Sequence, residues 1–202
     1  MAMSRIDLPS ADLCLDPEFL AADIATAAFD EISEEIRWEQ HHVRLFGRDV
    51  PAPRMSCWIG DSDAGYTYSR IRFEPRPWPS SVLRIKRLIE ATLSTRFNSV
   101  LANRYRDGAD CMGWHADDEP ELGPQPLIAS LSLGGSRRFL LRGRSPSRNR
   151  LELPLSHGSL LVMRGDTQTH YQHAVPRTAK LCSPRINLTF RRILTSAAAT
   201  AS

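Results

Sequence analysis

Two patterns of apolar and polar positions divide the chain near residue 98. In the N-terminal part, apolar residues recur at helical spacing, which predicts two helices. The first should begin at Pro17 with Asp16 as its N-cap, because both residue types favour a helix start. The second should begin near Ser80. The apolar positions of the two helices are Leu20, Ile24, Ala28, Ile32 and Ile36, and then Val82, Ile85, Leu88, Ile89 and Leu93.

Short strands are predicted for most of the remaining chain. The segments HHVRLFG and YTYSRIRF predict hairpin strands between the helices. Eight short strands beyond residue 98 are typical of a sandwich, a jelly roll or a small barrel. Helices first and strands afterwards predict an α+β domain with helices against a sheet. The eight strands are 98–105, 111–116, 127–133, 137–142, 151–155, 159–164, 172–175 and 185–192.

The composition is typical of one folded domain. The 202 residues are 42% hydrophobic and 24% charged, and no apolar run approaches the roughly 20 residues that span a bilayer. The N-terminus lacks the apolar core of a secretory signal. We therefore expect a protein that is not secreted and contacts no membrane, located in the cytoplasm or, in a eukaryote, the nucleus. The four widely spaced cysteines form no CxxC pair, which favours reduced thiols.

Charge is distributed unevenly along the chain. Residues 1–40 carry a net charge of −8 and the remaining residues +11, within a total of +3. One segment of the chain contains six arginines and no acidic residue. A stripe of this kind is typical of a surface that binds a polyanion. A solvated arginine-rich hairpin is the alternative, and charge alone does not decide between them. The stripe lies between Glu121 and Glu152 and comprises Arg137, Arg138, Arg142, Arg144, Arg148 and Arg150.

A candidate metal site is the sharpest local feature. His115 and Asp117 are two residues apart on a predicted strand, so their side chains share a face. His173 lies on another predicted strand. Two histidines and one carboxylate form the facial triad that binds non-haem Fe(II) and leaves three positions open. Taken alone, the HxD pattern also fits a hydrogen-bonded surface pair.

The last predicted strand offers a candidate anion site. Strand alternation places Ile186 and its apolar partners on one face and two arginines on the other. Two guanidiniums inside a barrel require an anion, for which a dicarboxylate such as 2-oxoglutarate is suitable. The alternative is a solvent-facing strand with ordinary surface arginines. The polar face carries Arg185, Asn187, Thr189 and Arg191, and an earlier strand adds Asn103 and Tyr105.

From about Trp38 to Arg192, the sequence resembles the AlkB-type Fe(II)/2-oxoglutarate-dependent dioxygenases. The HxD…H triad together with the RxNxxxR strand carries the resemblance. It implies a double-stranded β-helix, or jelly roll, with N-terminal helices and a substrate lid. The domain would span 38–193, after an acidic helical segment 1–37 and before a flexible tail 194–202. The matching motifs are PRMSCWIGD, GYTYSRI, FNSVLANRYRDGADCMGWHADDEPELG, PLIASLSLG, RRF, HGSLLVM, THYQHAVP and PRINLTFRR.

The resemblance also implies cofactors and an activity. His115, Asp117 and His173 match the Fe(II) ligands, and Arg185 and Arg191 match the arginines that hold 2-oxoglutarate. The expected reaction uses O₂ and couples decarboxylation of 2-oxoglutarate to oxidative demethylation of N-alkylated bases, such as 1-methyladenine and 3-methylcytosine. The partner would be alkylated DNA, with RNA as a further candidate, and we expect a monomer. Supporting contacts to 2-oxoglutarate are implied for Asn103, Tyr105 and Asn187, with Thr189 on the same strand face.

Substrate contacts are implied in three places. Tyr66 and Tyr68 match lid aromatics, although ordinary strand packing would also explain them. Asp118 and Glu119 follow the triad carboxylate, where the family accepts a hydrogen bond from the base. An apolar finger in duplex-acting relatives matches Phe46, with Gly47 and Arg48 beside it. A wedge of this kind opens the base stack, whereas a hairpin core residue is the alternative for Phe46.

Three further functions compete with this prediction. A 2-oxoglutarate oxygenase acting on protein or a small molecule would not need the arginine stripe or the tyrosines. A catalytically silent jelly roll that binds nucleic acid should have lost at least one ligand, and none is lost here. A zinc hydrolase with the same triad would not need the RxNxxxR strand.

Overall fold

The structure is a computed structural model that describes residues 3–45, 48–68 and 71–194. Its helices are α1 (Ala22–Glu35), α2 (Ser80–Leu93) and α3 (Thr167–His170), with a 3₁₀ turn at Pro120–Leu122. Its strands are β1 (Ser4–Ile6), β2 (Asp12–Asp16), β3 (His42–Leu45), β4 (Arg48–Pro51), β5 (Met55–Gly60), β6 (Tyr66–Tyr68), β7 (Ile71–Phe73), β8 (Ser99–Tyr105), β9 (Met112–His115), β10 (Ile128–Gly134), β11 (Arg137–Gly143), β12 (Arg150–Leu155), β13 (Leu160–Arg164), β14 (Tyr171–Val175) and β15 (Arg185–Arg191).

Two antiparallel sheets form the core of the fold. The larger sheet has seven strands in the order β1-β2-β13-β10-β15-β8-β5, and the smaller has the order β12-β11-β14-β9. All eight strands predicted beyond residue 98 are present, with ends that differ by at most one residue. The hairpins β3–β4 and β6–β7 pair only within themselves among the described strands. Their function as a lid stays a prediction.

The larger sheet buries both of its faces. On one face, Ile32 of α1 and Ile89 of α2 join Ile186 and Leu188 of β15 in one apolar cluster. A second cluster includes Phe139 of the smaller sheet together with residues of the larger one, so it lies between the sheets. Burying such an aliphatic side chain contributes roughly 1.5–3 kcal/mol. The polar face of β15 therefore points between the sheets, as strand alternation predicts.

Helix α2 begins at Ser80, where the sequence predicts it, and its N-terminus is capped from another helix. The carboxylate of Glu35 accepts hydrogen bonds from the hydroxyls of Ser80 and Ser81 and from the backbone N–H of Ser81. An acceptor of this charge suits the positive end of the helix dipole. These bonds fix the first turn of α2 against the end of α1.

The predicted start of the first helix is wrong. Residues Asp12–Asp16 form strand β2, which pairs with β13 so that Asp16 lies opposite Leu160. Helix α1 begins only at Ala22. The carboxylate of Asp16 does accept a hydrogen bond from the backbone N–H of Glu18, so it stabilises a turn and not a helix. Long-range strand pairing has overridden a local helix signal here.

The N-terminal strands share a sheet with strands from the rest of the chain. β1 pairs with β2, and β2 pairs with β13, so residues 4–16 extend the larger sheet. The division of the chain at residue 37 stays a prediction. The predicted tail 194–202 lies outside the described residues apart from Leu194. Within the described residues, no helix has the length and apolar character needed to cross a membrane.

Candidate active site

Three side chains predicted as metal ligands meet between the sheets. His115 ends β9, Asp117 follows it by two residues, and His173 lies opposite His115 on β14. We call these three residues the ligand triad. Nε2 of His115 lies 3.9 Å from Oδ1 of Asp117, and Nε2 of His173 lies 4.0 Å from Oδ2. One donor atom of each residue lies within 4.8 Å of the other two.

The protonation states of the triad suit a metal cation. Burial alone would raise the pKa of Asp117, but the charges of Arg191 and the two histidines outweigh it and hold the pKa at about 2. Burial lowers the pKa of His173 to about 3, and the neighbouring His115 adds to the shift. At neutral pH the site therefore presents a carboxylate and a neutral imidazole, the forms that bind metals.

Neighbouring groups orient the triad. The carbonyl of Gly113 can only accept a hydrogen bond, so Nδ1 of His115, 2.8 Å away, donates to it. Nε2 of His115 is then the ring nitrogen that can bind a metal through its lone pair, an arrangement that is usual for histidine ligands. The backbone N–H of Asp117 donates to Oε1 of Gln168 at 2.9 Å. The ring of Phe139 stacks on His173 at a centroid distance of 5.2 Å.

The donor set fits Fe(II). Two imidazoles and one carboxylate on one side of a cavity form the facial triad of non-haem iron oxygenases, with positions left for a co-substrate and O₂. The cavity has a volume of about 30 Å³ and lies between the two sheets. The predicted residues that line it are Asn103, Tyr105, His115, Asp117, His173, Asn187, Thr189 and Arg191.

Arg185 lies beside the ring of Tyr105, which lines this cavity, and is the best indication of an anion site. It is 1% exposed, and its Nη2 donates to the hydroxyl of Ser132 at 2.9 Å. Its Nε and Nη1 have no hydrogen-bond partner among the described residues. Burial lowers the pKa of Arg185, and the Tyr105 ring lies 5.2 Å from its guanidinium carbon. A buried guanidinium with two unsatisfied N–H groups fits a carboxylate such as that of 2-oxoglutarate.

Arg191 differs from Arg185 although the two share a strand face. Its Nη2 lies 2.7 Å from Oδ1 of Asp117, and both side chains are about 95% buried. The guanidinium thus stabilises the charged form of a triad carboxylate. Its predicted contact with 2-oxoglutarate stays a prediction, since its strongest described partner is Asp117.

A hydrogen-bond network links the remaining predicted contacts. Asn187 donates to the hydroxyl of Ser130 and to the carbonyl of Leu131, at 2.8 and 2.9 Å. The hydroxyl of Thr189 donates to Oδ1 of Asn187 at 3.1 Å. Sequence reasoning missed Ser130 and Ser132. Their alternation with leucines in IASLSLG is the signal that could have found them.

Comparison with known proteins identifies the family. A family described as the 2OG-Fe(II) oxygenase superfamily matches residues 12–191. The chain belongs to this superfamily. The match begins in β2 and ends with β15, so it includes the ligand triad and Arg185. It confirms the predicted resemblance to Fe(II)/2-oxoglutarate oxygenases and, with the two facing sheets, the predicted jelly-roll fold.

Several relatives of this oxygenase chain have names that state an activity. It is 40% identical over 190 residues to "Alpha-ketoglutarate-dependent dioxygenase alkB homolog 3" of Bos taurus, covering 90% of this chain and 66% of that protein. The chain thus spans just under two thirds of that relative. It is 42% identical over 182 residues to "DNA oxidative demethylase ALKBH2" of Homo sapiens, covering 83% of this chain and 70% of that protein.

A solved structure supports the fold of the oxygenase chain. "The structure of OsALKBH1" superimposes with a TM-score of 0.62 and covers 95% of this chain and 100% of that chain. Its sequence identity is 16%, so the likeness concerns the fold alone.

The structure describes the side chains of only some of the predicted substrate residues. Asp118 forms an ion pair with Arg144 at the surface, and Glu119 is half-buried. Arg48 is exposed at the start of β4. Phe46 and Gly47 lie outside the described residues, as do the side chains of Tyr66 and Tyr68 on β6.

The arginine stripe is only partly a surface feature of the oxygenase. Arg137 is buried, and its guanidinium donates to the backbone carbonyls of Asp107, Asp110 and Pro176. Its inclusion in a polyanion surface is therefore wrong. Alternation along β11 turns Arg137 inward with Phe139 and turns the neighbouring arginines outward. The exposed members are Arg138, Arg144, Arg148 and Arg150, with Arg142 half-buried.

Proposed function

We propose that this chain is an Fe(II)/2-oxoglutarate-dependent dioxygenase that demethylates N-alkylated bases in DNA, with RNA as a further candidate substrate. The observation that carries the proposal is the ligand triad together with Arg185. The triad could hold a metal ion, and Arg185 has two buried nitrogens without a described partner, which would suit an anion. The names of the relatives, a dioxygenase and a DNA oxidative demethylase, support the nucleic-acid substrate.

The residues divide the work between metal and co-substrate. His115, Asp117 and His173 would hold Fe(II), and Arg185 would bind one carboxylate of 2-oxoglutarate. When bound together, Fe(II), 2-oxoglutarate and O₂ would supply the chemistry for hydroxylation of the methyl group, with 2-oxoglutarate converted to succinate and CO₂ and the methyl carbon finally released as formaldehyde. The chain itself supplies orientation and a cavity between two sheets that limits access of water.

Two kinds of charged side chain would contribute to substrate binding: carboxylates near the damaged base and arginines near the phosphate backbone. A damaged base must leave the stack to reach a buried metal, and N-alkylated adenine and cytosine carry a positive charge that carboxylates attract. We assign this role to Glu119, which is half-buried and follows Asp117 by two residues, because Asp118 is already paired with Arg144. The exposed Arg148 and Arg150 supply positive charge for the phosphate backbone.

Assembly and location belong to the same proposal. We propose that the enzyme is a monomer in the cytoplasm, or in the nucleus if the source is a eukaryote. Light scattering during size-exclusion chromatography tests the monomer, because a mass near twice 22.7 kDa would contradict it.

The decisive experiment reconstitutes the protein with Fe(II) without oxygen and then supplies 2-oxoglutarate, ascorbate and air. Oligonucleotides containing 1-methyladenine or 3-methylcytosine, single-stranded and duplex, are then followed by mass spectrometry. We expect loss of the methyl group with formation of formaldehyde and succinate. An Asp117→Ala variant, treated in the same way, is the matched control.

The products also separate the competing functions. Succinate without demethylation of any oligonucleotide would favour an oxygenase that acts on protein or a small molecule. Binding of the oligonucleotides without succinate would favour a catalytically silent nucleic-acid-binding protein. Either result would contradict the proposed demethylase.

A further inference from the structure

Backbone pairing does little to fix one of the histidines in the ligand triad. His115 belongs to β9, which is an edge strand of the smaller sheet. β9 pairs with β14 at two positions, His115 with His173 and Met112 with Val175, and the register shifts between them. A strand paired so sparsely can move relative to its neighbour unless side chains hold it.

Three side chains lie on the outer face of this sheet, directly behind the triad. Trp114 precedes His115 and Gln172 precedes His173, so strand alternation turns both away from the cavity. Arg142 lies opposite Gln172 in the register of β11 and β14. We call Arg142, Trp114 and Gln172 the outer clamp.

Arg142 contacts both other members of the outer clamp. Its Nε and Nη2 donate to Oε1 of Gln172 at 3.1 and 2.9 Å. Its guanidinium carbon lies 4.3 Å from the centre of the Trp114 ring. A planar guanidinium can donate hydrogen bonds in its plane while an aromatic ring stacks on its face. One side chain on β11 therefore joins β14 and the edge strand β9.

We propose that Arg142 is a positioning residue of the metal site. By holding Trp114 and Gln172, it fixes the spacing of the two histidines that follow them. Arg142 itself is not among the residues that line the cavity, and its described side-chain contacts are with Gln172 and Trp114. The inference rests on the proposed function, because it requires that the triad bind a metal.

The chain provides a matched control for this proposal. Arg138 lies four residues before Arg142 on β11 and, by strand alternation, on the same outer face. It pairs with exposed Glu152 on β12, on the opposite side of β11 from β14. Removing its charge therefore changes the same strand and face without changing a contact to β14 or β9.

The test measures metal binding by the full chain without 2-oxoglutarate or nucleic acid. Mn(II) affinity is measured by calorimetry, and Co(II) reports ligand geometry through its visible absorption. We expect Arg142→Met to weaken Mn(II) binding about 10-fold, the low end for residues that orient metal ligands, and to alter the Co(II) spectrum. Arg138→Met should change neither. Arg142→Lys keeps the charge but not the fork, and should restore part of the affinity.

Two results would overturn the role of Arg142. One is equal Mn(II) affinity and identical Co(II) spectra for Arg142→Met and Arg138→Met. The other is an equal loss of affinity in both variants that follows an equal fall in Tm, which would indicate a general packing effect. If Arg142→Met does not fold, the comparison of Arg142→Lys with Arg138→Lys decides in the same way. If the wild-type protein binds neither ion, the proposed function itself fails.

Discussion

The two halves of the candidate site are built in opposite ways. β15 supplies the residues that we propose face 2-oxoglutarate, and it pairs with β8 at seven positions and with β10 at six. β9 supplies a proposed metal ligand, His115, from a sheet edge and pairs with its neighbour at two positions. Every residue of β15 is buried, whereas Trp114 of β9 is 39% exposed. We call the polar face of β15, with Arg185, the anion half of the site and the ligand triad its metal half. The anion half is thus fixed by backbone hydrogen bonds, while the metal half depends more on side-chain contacts.

Loss of one residue of the ligand triad should have the largest effect on activity. We expect His115→Ala, Asp117→Ala and His173→Ala each to abolish demethylation, because a three-ligand site loses both affinity and geometry with any one ligand. The fold should persist in each. Turnover of a 1-methyladenine oligonucleotide, measured beside circular dichroism, checks both expectations. Turnover near that of the wild type in any of the three would mean that the triad is wrongly assigned.

The anion half is tested through Arg185. We expect Arg185→Ala to weaken 2-oxoglutarate binding by roughly 2–4 kcal/mol, because a buried charge-assisted pair is lost. Arg185→Lys should recover only part, since an ammonium cannot replace a planar fork. Calorimetry in the presence of Mn(II) measures both variants. Equal affinity in the wild type and Arg185→Ala would contradict an anion site at this residue.

Replacing Arg191 should have a smaller effect on 2-oxoglutarate binding, and it should also change metal binding. Because its charge is already compensated by Asp117, we expect Arg191→Gln to weaken 2-oxoglutarate binding by only about 1–2 kcal/mol. The same change removes a cation beside the carboxylate, so Mn(II) affinity without 2-oxoglutarate should rise several-fold. Arg185→Ala serves as the control, since it should leave Mn(II) affinity unchanged. An unchanged Mn(II) affinity in Arg191→Gln would contradict the coupling between the halves.

The smallest effect concerns a residue outside both halves. We expect Phe46→Ala to lower the rate on duplex substrates and largely to spare single strands, because opening a stack costs on the order of a few kcal/mol only in a duplex. The ratio of the two rates, measured beside Tm, checks this. A lower Tm with equal loss on both substrates would instead identify a hairpin core residue.

Much of the anion half could be predicted from the sequence. Alternation in RINLTFR correctly places Arg185 between the sheets and Leu188 against the helices. Such alternation is a local property that the chain displays without knowledge of its partners. It could also have placed Arg137 inside, because Phe139 and Leu141 share its face. Counting charges without regard to strand faces made Arg137 a surface residue.

Features that depend on distant partners could not be predicted. Asp16 and Pro17 carry good helix-start signals, yet β13 draws the preceding residues into a strand. The contacts of Arg142 with Trp114 and Gln172 require the strand order β11-β14-β9, which no local pattern specifies. The same holds for Asp118, whose partner Arg144 lies 26 residues away in sequence.

The pairing of β2 with β13 has a consequence for solubility. Strand β2 covers the backbone N–H and C=O groups along one side of Leu160–Arg164, within a sheet that is otherwise closed on that side only by β1. In a chain shortened to begin after Asp16, β13, an interior strand of mainly apolar residues, would become an exposed edge strand. Such edge strands pair readily with strands of other molecules and promote aggregation. We therefore expect residues 4–16 to protect the oxygenase from self-association, although they lie far in sequence from every residue of the candidate site.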